Sequence, residues 1–196
     1  MLELLNQLAV SFDLPILDWI QANLQSSFLD TVMPIITLFG EGGIFWIAWA
    51  AILLFIPKYR KTGIGMLLAL IMGVLICNVT LKPLVRRIRP YDFQEQHYGI
   101  LINLLIDRMH DYSFPSGHTI ASFEAAVVLL LNDKRMGIPA MVICVLVTLS
   151  RLYLYVHYPT DVIFSIFAGT LFAFLGNALA PKVLDKLPVH KGKYEA

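Results

Sequence analysis

The sequence predicts an all-α fold, a polytopic membrane helix bundle, and three observations predict it. Of 196 residues, 58% are hydrophobic and 15% charged, with a mean hydropathy of +0.70, which is more apolar surface than one water-soluble core hides. Five apolar segments, 42–57, 62–81, 116–131, 138–156 and 159–180, approach the roughly 20 residues that carry a helix across a bilayer. No Gly/Ser-rich or Pro-rich linker separates them, so a single integral membrane domain over residues 1–196 is expected. Helices are the form these segments take, because lipid offers no partner to an unpaired backbone group.

Taken in order, residues 14–24 set Leu14, Leu17, Trp19, Ile20 and Leu24 among Asp18, Gln21 and Asn23, a pattern suited to lying along the membrane surface and given no catalytic role. Residues 28–40 are a sixth candidate, short and interrupted by Asp30 and Pro34, which brings the expected total to about six membrane helices: five strong spans and this one. Glu41-Gly42-Gly43 opens the first strong span on the external side; it fits either a border of the headgroup pocket or close packing at a helix start, and close packing is the preferred expectation. In the connection 82–115, residues 103–109 fit either a short amphipathic helix or a plain surface loop. No lysine or arginine precedes Lys58 and no small-residue cleavage pattern is present, so a cleaved signal peptide is not expected. Cys77 and Cys144 both sit in apolar runs as buried small hydrophobes, not as a disulfide framework.

Charge placement orients the bundle. With 15 basic and 14 acidic residues the net charge is +1, too little for a nucleic-acid partner. Lys58, Arg60 and Lys61, then Lys134 and Arg135, then Lys182, Lys186, Lys191 and Lys193 fall on one side by span parity, and basic loops stay cytoplasmic. The 82–115 connection and the turn 156–158 then share the external face. Tyr91, Tyr98, Tyr112, Tyr153, Tyr155 and Tyr158 gather there and are expected to be mostly interfacial anchors.

Three polar clusters fall on that face. Lys82-Pro-Leu-Val-Arg-Arg-Ile-Arg89-Pro90 offers four cations stiffened by two prolines, suited to an anion; Arg86 and Arg87 are expected only to meet lipid phosphates. Pro115-Ser116-Gly117-His118 opens a helix whose free N–H groups favour an oxyanion, and His118 is costly in lipid unless it lines a polar cavity. Alone, this segment is equally a helix cap with an incidental histidine. Ser150-Arg151 and His157-x-x-x-Asp161 span the last turn, where the carboxylate four positions on can fix the imidazole tautomer. By itself that cluster also fits a structural Arg/Asp pair closing a helix hairpin. Together, two imidazoles, several cations and one carboxylate suit phosphoryl transfer: the cations hold phosphate oxygens, one imidazole attacks phosphorus and the other protonates the departing oxygen.

In these clusters the chain resembles the type 2 phosphatidic acid phosphatases, or lipid phosphate phosphatases. Their signature joins a lysine placed seven residues before an Arg-Pro pair, Pro-Ser-Gly-His, and Ser-Arg followed by a His-x-x-x-Asp, and this sequence matches it at 82–90, 115–118 and 150–161. The likeness covers about residues 40–180 and points to the undecaprenyl pyrophosphate and phosphatidylglycerol phosphate phosphatase branch. It implies His157 as nucleophile forming a phosphohistidine, Asp161 as its orienting partner and His118 as general acid and then base. Lys82, Arg89, Arg151, Ser116 and Gly117 would bind phosphate.

The resemblance implies no metal and no cofactor. It implies a lipid phosphate substrate, membrane lipids as surroundings and no obligatory protein partner, in a bacterial plasma membrane with the site facing outward. Undecaprenyl pyrophosphate, phosphatidylglycerol phosphate and phosphatidic acid are the expected substrates. The alternative is a transporter or flippase that binds a lipid phosphate without cleaving it, which needs the cations but not the paired histidines. A scaffold or channel would leave the polar clusters without a purpose. Outside the signature, Glu124 is expected to be protonated or hydrogen-bonded and stays off the catalytic list. His97, His110 and His190 are expected to be solvated, and Asn78 and Thr80 are optional cavity residues.

Overall fold

A computed structural model describes residues 2–186; His190, Lys191 and Lys193 lie outside the described residues. Helix α1 (Leu2–Leu8) continues through a π-helical stretch, Ala9–Asp13, into α2 (Leu14–Leu24), which carries Leu14 and Leu17 into the core. Ser26 caps α3 (Ser27–Thr37) by accepting the Leu29 N–H, satisfying one of the orphan donors of a helix start. At Glu41–Gly43 the chain bends, with positive φ at Gly42 and Gly43, and α4 (Ile44–Phe55) follows. Next come α5 (Arg60–Gly73), a π-helical run Val74–Leu81, and the short α6 (Lys82–Val85). Beyond them stand α7 (Pro90–Tyr98), α8 (Gly117–Asn132), α9 (Lys134–Tyr153) and α10 (Pro159–Leu184).

Helices α4, α5, α8, α9 and α10 enclose the main core, built around Trp46, Met66, Leu129 and Phe172, while Phe55, Phe167 and Ile44 remain exposed. Such an outward apolar surface belongs in lipid. Among the described residues, four helical stretches are long and apolar enough to cross a membrane, Ser27–Phe55, Pro57–Tyr98, Lys134–Tyr153 and Pro159–Leu184, with Gly117–Asn132 a shorter apolar helix beside them.

Contacts along Ser27–Phe55 show one kinked path. Asp30 accepts the Tyr153 hydroxyl at the end of α9, and Gly40 abuts His118 at the start of α8. Further down, Trp46 donates to Ser122 within α8. The candidate 28–40 is therefore the site-end section of the helical path that continues through α4.

At the opposite end the turn before α5 meets the turn before α9, where the Tyr59 hydroxyl donates to Asp133. Lys58 lies in the first of these turns, Lys134 and Arg135 in the first turn of α9, and Lys182 and Lys186 at the end of α10. The site end is closed by a second core, in which Ala9 of the π-helical stretch, α2, α7 and the 99–116 connection pack against Tyr155, Val156 and Tyr158.

One open choice is decided here and one expectation is corrected. Residues 103–109 form no helix, because Leu104, Leu105, Ile106 and Met109 are drawn onto this second core and the Tyr91 hydroxyl bonds both the N–H and the carbonyl of Met109. Four of the tyrosines are not interfacial anchors: Tyr91, Tyr153, Tyr155 and Tyr158 are buried, their hydroxyls or rings held by the second core, Asp30, Asp18 and Arg87. Tyr98 and Tyr112 alone among the six are exposed.

Candidate active site

After α6 the chain turns sharply at Arg86, whose φ is +54°, and then runs extended to Arg89. In extended backbone, residues two apart share a face, so Arg87 and Arg89 both turn inward while Arg86 is left outside, bonding only the Pro83 carbonyl. Arg89 is 2% exposed; its Nη1 donates to the Val156 carbonyl at 2.7 Å and lies 3.3 Å from His157 Nε2. The turn 154–158 between α9 and α10 thus presents one imidazole nitrogen beside a fixed cation.

The other ring nitrogen faces Asp161. His157 Nδ1 is 3.5 Å from Asp161 Oδ2, an ion-pair distance without a formed hydrogen bond. The reason is competition: Oδ2 already accepts from Ser113 Oγ and from the Tyr158 N–H at 3.1 Å, and Oδ1 accepts from Arg87 at 2.5 Å. Burial, followed by the nearby Arg89 and Arg151 charges, holds the His157 pKa well below its ordinary 6.5, so the ring is neutral.

His118 enters from the first turn of α8. Its Nε2 stands 3.2 Å from Glu41 Oε2, in ion-pair range but without hydrogen-bond alignment. A Cβ on Gly40 would lie 2.7 Å from the His118 ring, so the missing side chain at that position is what lets the bend approach. Glu41 therefore borders the site, a correction to its expected role in packing: the left-handed residues at Gly42 and Gly43 turn the carboxylate toward the imidazole.

One cavity of about 570 Å³ joins these parts, with Lys82, Arg89, Gly117, His118 and His157 all on its wall. Arg151, Ser116 and Asp161, each 0% exposed, stand behind it. Arg151 donates to Thr37 and to the Met109 sulfur; among the described residues its Nε has no partner and no carboxylate lies within ion-pair distance. The Ser116 N–H is taken by Ser165 Oγ at 2.9 Å, while its hydroxyl accepts from Thr119. Deeper in the cavity, Glu124 presses Oε1, unpartnered, against Gly73. Asn78 lines the wall and exposed His110 its rim; Thr80 points away and bonds the Leu75 carbonyl. His97 is exposed and stacks on Phe93.

Asp111 escaped the sequence reading. It bridges Lys82 and Arg89 Nη2, and its carbonyl accepts from Arg89 Nε at 3.0 Å. Burial raises its pKa, but Arg89 and Lys82 together outweigh that and lower it to about 2. Arg87 is a second correction. Far from meeting lipid phosphate, it is 0% exposed, bonded to Asp13, Asp161, Thr160 and the Leu5 carbonyl, with its guanidinium 3.6 Å from the Tyr158 ring centre. A buried guanidinium needs that many partners to repay its desolvation. No local pattern signals Asp13 or Asp111, since each acquires its partner only across a long stretch of chain.

Lipid-facing helices around a cavity walled by cations and two imidazoles define an integral membrane enzyme that handles anionic esters. Residues 62–184 match the PAP2 superfamily, and the chain belongs to it. It is 32% identical to a protein of Sulfolobus acidocaldarius named undecaprenyl-diphosphatase, over 85% of this chain and 77% of that one. With phosphatidylglycerophosphatase B of Bacillus subtilis it shares 34% identity over 81% of this chain and 70% of that one. Among solved structures, a transmembrane PAP2-type phosphatidylglycerolphosphate phosphatase from Bacillus subtilis superposes with a TM-score of 0.67 at 28% identity, covering 86% of this chain and 84% of that one. The chain is a hydrolase of the lipid phosphatase kind.

Proposed function

We propose that this protein hydrolyses a lipid-linked phosphate or diphosphate through a phosphohistidine on His157, with protein cations and no metal carrying the phosphate charge. The observation that carries this reading is the shared cavity, which has both His118 and His157 on its wall beside Lys82 and Arg89. His157 Nε2 attacks phosphorus as the bond to the leaving oxygen breaks, and His118 delivers a proton to that oxygen. Asp161, 3.5 Å from Nδ1, offsets the positive charge the ring acquires. His118 then takes a proton from water, whose oxygen bonds phosphorus as the P–N bond breaks, releasing inorganic phosphate and restoring neutral His157.

Lys82, Arg89 and Arg151 hold the phosphate oxygens, aided by the Ser116 hydroxyl and the Gly117 N–H, while the lipid tail stays among the helices. To reach the phosphate oxygens, Lys82 and Arg89 release Asp111. Undecaprenyl diphosphate is the first substrate choice, with phosphatidylglycerol phosphate and phosphatidic acid beside it, and relatives bearing the names undecaprenyl-diphosphatase and phosphatidylglycerophosphatase support that order. The basic turns at the far end favour a site on the outer face of a bacterial plasma membrane.

A panel of lipid phosphates assayed in detergent with chelator, comparing phosphate release, tests the reading. His157→Ala is expected to abolish release while lipid binding persists. Normal hydrolysis by that variant would remove His157 as nucleophile, and binding without release by the unmodified protein would support the transporter alternative.

A further inference from the structure

Beneath the His157 turn lies a buried charge cluster that the proposed chemistry uses only through Asp161, leaving Arg87 and Asp13 without a role. Arg87 Nη2 donates to Asp13 Oδ2 at 2.7 Å and Arg87 Nη1 to Asp161 Oδ1 at 2.5 Å, and all three side chains are 0% exposed. Asp13 is fastened further to the start of α10, where its Oδ1 accepts the Thr160 N–H at 2.8 Å and its Oδ2 accepts the Thr160 hydroxyl at 2.7 Å. Asp13 comes from the π-helical turn between α1 and α2, outside the residues 62–184 that match the superfamily.

One guanidinium is therefore shared by two carboxylates. Were Arg87 to pair with Asp161 alone, its positive charge would fall wholly on the carboxylate that faces His157 Nδ1, weakening that carboxylate as an acceptor. A weaker acceptor leaves the imidazole less electron-rich at Nε2 and less able to carry the positive charge of a phosphohistidine. By taking one of the guanidinium's four hydrogen bonds and sharing its charge, Asp13 preserves the anionic character of Asp161 and pins the first turn of α10 from which Asp161 projects.

We propose that Asp13 is a positioning residue for the hydrolysis: the buried Asp13–Arg87–Asp161 chain lets the N-terminal helix set how strongly Asp161 supports His157. The inference rests on His157 being the nucleophile, so His157→Ala is measured beside it.

The test uses the full chain purified in detergent and the lipid phosphate hydrolysed fastest in the panel, with kcat, KM and thermal midpoint recorded for Asp13→Asn and Asp13→Glu. Asp13→Asn keeps size and acceptor oxygen but loses the charge; kcat is expected to fall about tenfold with KM within about twofold, and Asp13→Glu to recover most of the loss. An unaltered kcat in Asp13→Asn overturns the proposal. So does a fall that Asp13→Glu does not relieve and that follows the thermal midpoint, since that marks structural damage alone. Should Asp13→Asn not yield folded protein, Asp13→Glu beside Thr160→Val, which removes the hydroxyl that joins Asp13 to Arg87, decides by the same kcat criterion. If His157→Ala is active, the nucleophile assignment fails; if it is dead while Asp13→Asn is normal, only the role of Asp13 fails.

Discussion

At the basic end of the bundle, α5 and α10 approach so closely that a Cβ on Gly176 would lie 2.5 Å from the Gly65 carbonyl oxygen. At the site end, Arg87, Arg89 and Arg151 fill the interior, each at most 2% exposed. The first region gains little from the hydrophobic effect, because lipid is as apolar as the helices, so contact between small residues fixes its geometry. Desolvation is the threat to the second, whose cations are acceptable only where carboxylates, carbonyls or a bound anion answer them. Packing at one end thus holds a charge lattice at the other, and the two ends should fail in different ways when altered.

Loss of a reacting group should separate them most widely. His118→Ala is expected to lower kcat by about 10²–10⁴ while the thermal midpoint in detergent stays near that of the unmodified protein. A variant that melts early and is fully active per folded molecule would break the distinction. Gly176→Ala should do the reverse, forcing α5 and α10 apart at a cost of about 1–3 kcal/mol in stability, with kcat retained in the folded fraction. Thermal unfolding followed beside activity checks both.

Asp111 allows a finer probe of the charge lattice. Its carboxylate occupies Lys82 and Arg89, the cations proposed to meet phosphate, so Asp111→Asn should tighten inhibition by inorganic phosphate about tenfold. Weaker inhibition would mean that Asp111 organises the cations and does not compete for them. The smallest effect is a displacement along the pH axis. His157 must be neutral to attack, and burial with the Arg89 and Arg151 charges lowers its pKa, so the acid limb of kcat/KM should fall below pH 6.5. With the anionic substrate bound, loss of the proton that His118 must deliver is expected to give kcat its alkaline limb and so a bell. A flat profile across about pH 5 to 9 would sink this division of roles.

Legibility from sequence followed distance along the chain. The three motifs named Lys82, Arg89, Gly117, His118 and His157, and all five border one cavity. Arg86 and Arg87 show where that reading stopped: they are adjacent and chemically alike, yet a single positive φ leaves Arg86 outside and turns Arg87 into the interior. Asp13 and Asp111 sit in unremarkable polar surroundings in the sequence, and their partners are 74 and 29 residues away. The tyrosines misled because a ring with a polar tip suits both a membrane interface and a buried hydroxyl contact, and composition does not separate the two.

Amino-acid order alone determined that the chain lives in lipid, that its membrane-crossing helices are predominantly apolar, and which imidazoles and cations gather at one end, because those properties follow from local runs and short spacings. Tertiary structure decided which charges answer one another: Arg87 between Asp13 and Asp161, Asp111 across Lys82 and Arg89, Glu41 against His118. The physical reason is that desolvating a charge is costly everywhere in such an interior, so every buried ion takes whatever opposite charge or acceptor the folded backbone brings within reach, however far away it began.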